Sequence, residues 1–365
     1  MRLAFRELFR RPGRFLPVTI ALTGLVVLLV ILAGFLDGLR LGQTGPYRAH
    51  EGRLIVVAGD AEGQLLRSRL PGDGGAQIAQ VQGVAQVGPL DQFSTTVGVQ
   101  GSRELADVAV FGYSVATDRI PAPPPAGQAI VDTALGDRLS GISDGATLTL
   151  GPTSAPVQIA RTVSDLSAGS PTIWVNHDEW LKLVAEASPA SAPADGSVQA
   201  FVVAPTQGTD LEQLAATIDS RVSGVEALTT QEAINALPAV QQQSNTFQGI
   251  ILLTLGVTLM VVALFFALLA LERARLFAVF KALGARTRDL AVSLGVQAVV
   301  ISVIAIAVGL AVSFAIVALL PPELPIRLEQ SRMFLVAGGT LLMSIIGSLT
   351  TLRRLSRIDP ASAIG

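Results

Sequence analysis

The pattern of apolar and polar positions divides the chain into four long apolar runs and one hydrophilic block. Residues 15–36, 248–271, 290–320 and 333–352 are each almost continuously apolar. About 20 apolar residues in a helix match the thickness of the hydrocarbon core of a bilayer, so each run predicts a transmembrane helix. The hydrophilic block, residues 37–247, lies between the first and second runs. The chain is therefore predicted to have one span, a domain, and then three spans.

The hydrophilic block has the pattern of an α+β domain, in which short β-like runs alternate with turn-rich stretches. Strands are predicted at 53–58, 93–100, 106–113, 146–150, 157–159, 172–175 and 198–203, and helices at 133–139, 178–187 and 210–222. Thr209 is the expected N-cap of the last helix, with Glu212 completing a capping box. The predicted fold class is a membrane α-helical protein with four transmembrane helices (1+3) and an α+β domain between the first and second.

Charge is distributed very unevenly along the chain, and this predicts its orientation. Three short regions, 1–14, 272–289 and 353–365, hold 13 of the 26 Lys and Arg residues but only 4 of the 28 Asp and Glu residues. Basic residues in short loops beside spans remain in the cytoplasm. We therefore expect a bacterial inner-membrane protein with both termini cytoplasmic. Its 37–247 domain and 321–332 loop are expected to be extracytoplasmic.

Individual residues refine this picture of the spans. The first apolar run is longer than the apolar core of a signal peptide and lacks a clean cleavage site, which favours a retained span. Asp37 is expected to close that span as a solvated interfacial residue, and the less favoured alternative is a buried functional charge. Gln297 in the third span is expected to make an interhelical hydrogen bond. The fourth span is rich in small residues and is expected to pack inside the bundle.

The residue inventory excludes several kinds of chemistry. The chain has no cysteine, so it has neither disulfides nor a thiol nucleophile. Its two histidines, His50 and His177, are expected at surface or interface positions, and no metal site is expected. The two lysines, Lys182 and Lys281, do not follow glycine, so the chain has no P-loop. Any ATP that drives this protein must be hydrolysed by another chain.

One sequence match to a catalytic motif is explained better by a turn. Residues 141–145 read GISDG and fit G-x-S-x-G, with Asp165 and His177 following in hydrolase order. A nucleophile elbow lies between a strand and a helix, whereas here a helical pattern precedes and a strand follows. A turn accounts for Gly and Asp at these positions. No catalytic residue is expected, and Trp174 and Trp180 are expected in the core.

Three segments resemble MacB/FtsX-type ABC transporter permeases. They are ERARLFAVFKALGARTRDL at 272–290, the tail IDPASAIG at 358–365, and AIVDTALGDRLSGISDGATLTL at 129–150. The small outer domain and the ALPAVQQQ stretch before the second span most resemble the DevC/HrtB, heme exporter-like branch. The resemblance covers the whole one-plus-three layout.

The resemblance implies how the chain is powered and what it assembles with. A cytosolic ABC ATPase subunit would bind ATP and Mg, and this chain would hold no cofactor of its own. Two permease chains would pair as a homodimer or as two halves. An envelope or membrane-fusion protein is a further candidate partner, together with membrane lipid, and no nucleic acid is expected. The 272–289 loop would receive the ATPase stroke through Glu272, Arg273, Arg275, Phe277, Phe280, Lys281, Gly284 and Arg286. The alternative is that these charges only fix the topology.

The substrate is the open part of the prediction. The resemblance implies a heme site near the outer end of the second span, but residues 238–247 read PAVQQQSNTF, without a carboxylate or imidazole. A neutral amide is a poor iron ligand by comparison. The candidate substrate-facing residues are Glu232, Gln241, Gln243, Asn245 and Phe247. Two functions remain: an exporter of an amphipathic molecule (lipid, peptide, drug or heme), or a mechanotransmitter that drives an envelope partner without transport.

Overall fold

A computed structural model describes residues 12–152, 155–193, 196–272, 287–320, 324 and 326–355. The chain divides into two compact units. Residues 39–242 form the first, which we call the sheet unit, and the described residues up to 38 and from 243 form the second, the membrane unit. The α-helices of the described residues are α1 Pro12–Arg48, α2 Gly74–Ala79, α3 His177–Ala187, α4 Leu211–Arg221, α5 Thr230–Ala236, α6 Pro238–Glu272, α7 Thr287–Leu319 and α8 Gln330–Leu355.

Four of these helices, α1, α6, α7 and α8, are long and apolar enough to cross a membrane. They confirm the one-plus-three layout. Two of them extend further than the apolar runs indicate. Helix α1 continues beyond residue 36 to Arg48, and α6 already begins at Pro238. The last turns of α1 and the first turn of α6 therefore belong to the sheet unit.

The sheet unit contains nine strands and confirms the α+β prediction. Six of them, β2 through β7, close into a ring in the order β2–β3–β7–β4–β6–β5, because β2 pairs with both β3 and β5. The other end of β2 pairs with β8, and the sheet continues through β1 to β9. The strands are β1 Leu54–Ala58, β2 Val84–Val99, β3 Ala106–Tyr113, β4 Gln128–Asp132, β5 Thr147–Leu150, β6 Ala155–Val163, β7 Thr172–Asn176, β8 Ala200–Pro205 and β9 Val225–Thr229.

Three apolar clusters form the core of the sheet unit. Alternation along β6 buries Ala155, Val157 and Ile159 inside the ring, as a strand with one wet face requires. Trp180 belongs to the same cluster, while Trp174 stacks on Phe111 in a second cluster. Both tryptophans are fully buried, so the prediction that they are core residues is confirmed. Helices α2 and α4 cover the other face of β1 and β8 in the third cluster.

The capping box predicted for the helix at 210–222, which is α4, is wrong in position. Asp210, not Thr209, is the N-cap of α4, and its carboxylate accepts a hydrogen bond from the backbone N–H of Gln213. Thr209 instead exchanges a hydrogen bond with the hydroxyl of Thr206. A carboxylate satisfies the free N–H groups of a first helical turn as well as a hydroxyl does. The sequence TDLE therefore allows both registers, and the fold selects the later one.

The membrane unit is held together by small residues at close approaches. On α8, a Cβ added at Gly347 would lie 3.0 Å from the carbonyl oxygen of Leu259 on α6. On α7, a Cβ at Gly309 would lie 2.7 Å from Val26 on α1. Ser344 and Ser348 of α8 are also fully buried. Helix α8 thus packs closely on α6 along one face. Its other face is exposed, as Phe334 and Leu335 show, and Gly338 has no neighbour within 4 Å, so the predicted place of α8 inside the bundle is not confirmed.

Candidate functional site

The predicted ATPase-coupling residues are almost all outside the described part of the chain. Arg273, Arg275, Phe277, Phe280, Lys281, Gly284 and Arg286 lie in residues 273–286, which are not described. Glu272 is described: it is the last residue of α6, and it is exposed. The role of this loop therefore stays a prediction.

Glu232, the one acidic candidate for contact with substrate, is part of a helix cap. It is the third residue of α5, and its carboxylate accepts hydrogen bonds from the backbone N–H of Thr229 at 2.9 Å and from the Thr229 hydroxyl at 2.7 Å. The Thr229 hydroxyl in turn accepts from the Glu232 N–H, which completes a capping box. A carboxylate engaged in this way has a structural role, because it satisfies donors that the first helical turn leaves free.

The other four candidates follow along the start of α6, and they fall into two groups. Gln241 belongs to the sheet unit, where its amide donates to the carbonyl of Asn235 at 2.7 Å. Gln243, Asn245 and Phe247 belong to the membrane unit. Asn245 is exposed, Gln243 is half-buried, and the Phe247 ring lies 6.1 Å from the ring of Phe35 on α1. Phe247 therefore serves at least in part to pack α6 against α1.

Asp37 is the charged residue that the structure places most unexpectedly. It lies within α1 and is 4% exposed, so the prediction of a solvated residue that closes the span is wrong. Its Oδ1 is 3.2 Å from Nε of Arg332, near the start of α8. The Arg332 side chain is 34% exposed and the Asp37 side chain 5%. An ionisable side chain buried among apolar helices is costly and commonly marks a functional position.

The segment before α8 also lies against α1 next to this ion pair. The backbone N–H of Arg327 donates to the carbonyl of Gly34 at 2.9 Å. A Cβ added at Gly34 would lie 2.9 Å from the side chain of Leu328 and 3.2 Å from the carbonyl oxygen of Arg327. Leu328 packs against the apolar cluster that contains Val30. Glycine at position 34 therefore permits the contact between this segment and the first span.

Sequence reasoning missed this arrangement, although a signal for it exists. Arg332 lies in a short connection where the positive-inside rule disfavours a basic residue, and an acidic residue follows the first apolar run. A pair of opposite charges at matching ends of two spans would have predicted the contact.

Gln297 in α7 is 2% exposed, and its interhelical hydrogen bond stays a prediction.

His50 is buried rather than at the surface, so that prediction is wrong. Its Nδ1 donates to the carbonyl of Pro46 at 2.8 Å, and its Nε2 has no hydrogen-bond partner among the described residues. The ring lies 6.1 Å from that of Trp174. Burial in this apolar setting lowers the pKa of His50 to about 4, because the charged imidazolium is poorly solvated there. His50 is therefore a neutral core residue at pH 7.

The residues of the hydrolase motif do not assemble into a triad. The Nε2 of His177 lies 2.9 Å from Oδ2 of Asp91 on β2, so its carboxylate partner is not Asp165. Ser143 is exposed in a turn whose flanking glycines, Gly141 and Gly145, both have φ of +86°. That left-handed backbone is the reason for glycine at these two positions. Within the described residues, no group of three His, Asp or Glu side chains is placed to hold a metal ion.

Four helices long enough to cross a membrane, with an α+β unit inserted between the first and second, define the class of this protein: a multi-span membrane protein with one large inserted domain. Residues 249–360, which contain the last three of these helices, match the family described as FtsX-like permease C-terminal. Over this stretch the chain is similar to MacB/FtsX-type ABC transporter permeases, as its motifs predict.

Three individual proteins are similar to all or part of this chain. An uncharacterized ABC transporter permease of Mycobacterium tuberculosis is 28% identical over 99% of this chain and 98% of its own length. A putative hemin transport system permease protein, HrtB, of Staphylococcus epidermidis is 25% identical over 40% of this chain. That second match spans only 42% of the length of HrtB. The periplasmic region of MacB from Actinobacillus actinomycetemcomitans aligns with 49% of this chain and 89% of its own, at 10% identity and a TM-score of 0.37.

Proposed function

We propose that this chain is the membrane-spanning, non-catalytic subunit of an ABC exporter in the bacterial cytoplasmic membrane. The observation that carries the proposal is the FtsX-like match over residues 249–360, combined with a chain that has no Gly-Lys pair. A P-loop needs its lysine after glycine to reach the phosphates of a nucleotide. The ATPase, with its ATP and Mg, is therefore a separate cytosolic chain. The basic termini and the 272–289 loop face that chain, and two permease chains pair around the substrate path.

The 272–289 loop is the proposed docking element for the ATPase. It carries five basic residues and two phenylalanines between α6 and α7. Basic and aromatic residues in one short loop can supply both charge complementarity and an apolar anchor, which are the usual components of a specific interface. A short loop also passes any displacement directly to the two spans that it joins.

The proposed substrate is an amphipathic molecule such as a lipid, a peptide or a drug, with heme the less favoured candidate. Glu232 is the last carboxylate before the second span in the sequence, and its Oε2 accepts both hydrogen bonds from Thr229 in the capping box. The remaining candidates there are amides and one phenylalanine. Amides and an aromatic ring suit a polar headgroup and an apolar body better than they suit ferric iron.

The second candidate function is mechanotransmission, and one feature of the sheet unit favours it. The end of α1 is fixed firmly within that unit: the N–H of Gly45 donates to the carbonyl of Ser167, and that of Gly169 donates to Gly42. A Cβ at Gly45 would lie 2.1 Å from the backbone of Leu166, so only glycine fits. A helix end held this tightly transmits its displacement to the segment between β6 and β7, which supplies these contacts.

Reconstitution of the permease with its ATPase in proteoliposomes tests the export proposal. The probes are heme, a fluorescent phospholipid and a hydrophobic dye, and the readouts are transport and stimulated ATP hydrolysis. Transport of one probe supports export. If no probe is transported or stimulates hydrolysis, but ATP still changes the protease sensitivity of the sheet unit, mechanotransmission replaces export.

Charge reversal in the loop tests the coupling role. We expect Arg275→Glu together with Lys281→Glu to abolish most of the ATP-driven transport while the protein still inserts in the membrane, because an acidic loop no longer matches its docking site. The matched control is Arg103→Glu, an exposed arginine of the sheet unit, which should leave transport unchanged. Normal transport by the double variant would show that the charges only fix the topology.

A further inference from the structure

The segment Leu324–Arg332 connects the last two spans, and the structure ties its described residues to α1 in three ways. Arg327 donates a backbone hydrogen bond to Gly34, Leu328 fills the space that a side chain at Gly34 would occupy, and Arg332 pairs with Asp37. We call residues 326–332 the strap. The first two contacts are both at Gly34, and the third is at Asp37, about one helical turn further along α1.

We propose that the strap and the Asp37–Arg332 ion pair form a latch that holds the first and fourth spans together at one end of the membrane unit and opens during the ATPase cycle. The proposal rests on the proposed function, because it gives the permease a closed state and an open state. By chain order, this is the end of α1 that leads into the sheet unit, and in the proposed orientation it is the outer end.

The chemistry of the pair suits a contact that must open and close. Burying two charges costs about as much as their mutual attraction returns, so a buried ion pair adds little net stability. Breaking the pair while both charges stay buried is costly, but releasing both into water is not. The Asp37 carboxylate is 5% exposed and the Arg332 guanidinium side chain is 34% exposed, so Arg332 has a route to water. The closed state is therefore well defined without being irreversible.

The neighbouring apolar contacts show what the latch covers. Leu328 of the strap packs against a cluster formed mainly by α1, from Val26 to Ala33, together with Val336 of α8; side chains of α6 and α7 also pack against this cluster. In lipid there is no hydrophobic force to hold such side chains together, so the geometry depends on packing and on polar contacts. Withdrawing Arg332 from Asp37 would free the strap and open the seam between α1 and α8. An amphipathic substrate leaving the bundle needs such an opening.

The absence of cysteine from the chain makes the seam directly measurable. Ala33→Cys places a single thiol at a position that is 4% exposed. The experiment uses the full permease–ATPase complex in proteoliposomes and measures the rate at which a membrane-impermeant maleimide labels this thiol, with and without ATP. The complex without ATP should label slowly, and ATP should raise the rate.

Variants of the latch give the decisive comparison. Asp37→Asn or Arg332→Gln should raise labelling without ATP roughly tenfold or more, because removing one partner of a buried ion pair strongly weakens the closed state. Exchanging the two charges, Asp37→Arg with Arg332→Asp, should restore slow labelling. Glu329→Gln removes an exposed carboxylate of the same strap and should change nothing. Gly34→Val keeps both charges but displaces the strap, so it should also raise the rate.

The outcomes separate the latch from the proposed function. If Asp37→Asn, Arg332→Gln and Gly34→Val all label as slowly as the parent, or if the charge exchange fails to restore protection, there is no latch. If these variants label quickly but ATP never changes the parent's rate, the pair is a fixed brace and the proposal is overturned, while export keeps its own test. If ATP opens the seam but no probe is transported, the latch stands and export falls. Should Asp37→Asn fail to insert, Gly34→Val still decides the question.

Discussion

His50, Asp37 and Glu232 show how far the surroundings of a residue determine its role. Each is a polar residue, and each is engaged in the folded chain. His50 is enclosed by the core that contains Trp174, and Asp37 is buried against Arg332. Glu232 closes a capping box. The number of polar residues near a position does not reveal which of them the fold encloses, because enclosure depends on residues distant in sequence.

The buried imidazole of His50 makes the stability of the sheet unit dependent on pH. The pKa of His50 is lowered to about 4 in the folded chain, against about 6.5 when unfolded, so the unfolded state binds the proton more tightly. The stability that neutral His50 contributes is fully present above about pH 6.5. It is lost as the pH falls from about 6.5 to about 4. Between pH 7 and pH 5 the free energy of unfolding should fall by about 2 kcal/mol.

This prediction can be measured on the full chain in detergent by denaturant unfolding. The two tryptophans, Trp174 and Trp180, both lie in the sheet unit, so their fluorescence follows that unit alone. His50→Phe should remove most of the difference in the free energy of unfolding between pH 7 and pH 5. His177→Gln changes the only other histidine and should leave the contribution of His50 to that difference unaltered. An unchanged pH dependence in His50→Phe would assign the effect to other groups.

At the scale of elements, the strands with a strong apolar pattern were predictable and two others were not. Seven strands were predicted near their observed positions, whereas β4 Gln128–Asp132 and β9 Val225–Thr229 were missed. Both are only five residues long, and β9 carries Glu226 and is paired on one side only, with β1. Such short strands are stabilised by their neighbours in the sheet rather than by their own sequence. The ring formed by β2 through β7 likewise depends on contacts distant in sequence, because β2 must pair with both β3 and β5.

The capping of α4 provides a test at this scale. Asp210→Ala should lower the free energy of unfolding of the sheet unit by about 1 kcal/mol, because the N–H of Gln213 loses its acceptor. Thr209→Ala, one residue earlier, should cost less than about 0.5 kcal/mol, since its hydroxyl contacts only Thr206 on the surface. Tryptophan fluorescence in a denaturant titration gives both values. Equal costs would return the N-cap to Thr209.

At the scale of the whole molecule, each unit follows its own packing rule. The sheet unit is built on buried apolar strands, and its tryptophans fill the core. The membrane unit has apolar residues on all sides of its helices, so hydrophobicity does not determine which faces meet. Small residues do so instead, because they allow helix backbones to approach closely. Gly309 against Val26 and Gly347 against Leu259 are the clearest cases.

Two glycines of α8 provide a matched comparison for this packing. A Cβ at Gly347 would lie 3.1 Å from Val262 and 3.0 Å from the carbonyl oxygen of Leu259, whereas one at Gly338 would meet nothing within 4 Å. Gly347→Val should therefore destabilise the membrane unit by about 1–3 kcal/mol, as overpacking does. Gly338→Val should have little effect. The apparent melting temperature of the protein in detergent, followed by size-exclusion chromatography, should fall only for Gly347→Val. A fall for Gly338→Val alone would reverse the assignment of the two faces.

The sequence alone predicted the number and order of the spans, the α+β class of the inserted domain and the likeness to FtsX-like permeases. Each of these follows from local patterns: long apolar runs, alternating short runs and a contiguous motif. Only the tertiary structure decided that Glu232 is a cap, that His50 is enclosed, and that Asp37 meets Arg332 across almost the whole length of the chain. These outcomes depend on contacts between residues distant in sequence. Hydropathy and spacing describe each residue together with its neighbours along the chain, whereas charge pairing and burial depend on its neighbours in space.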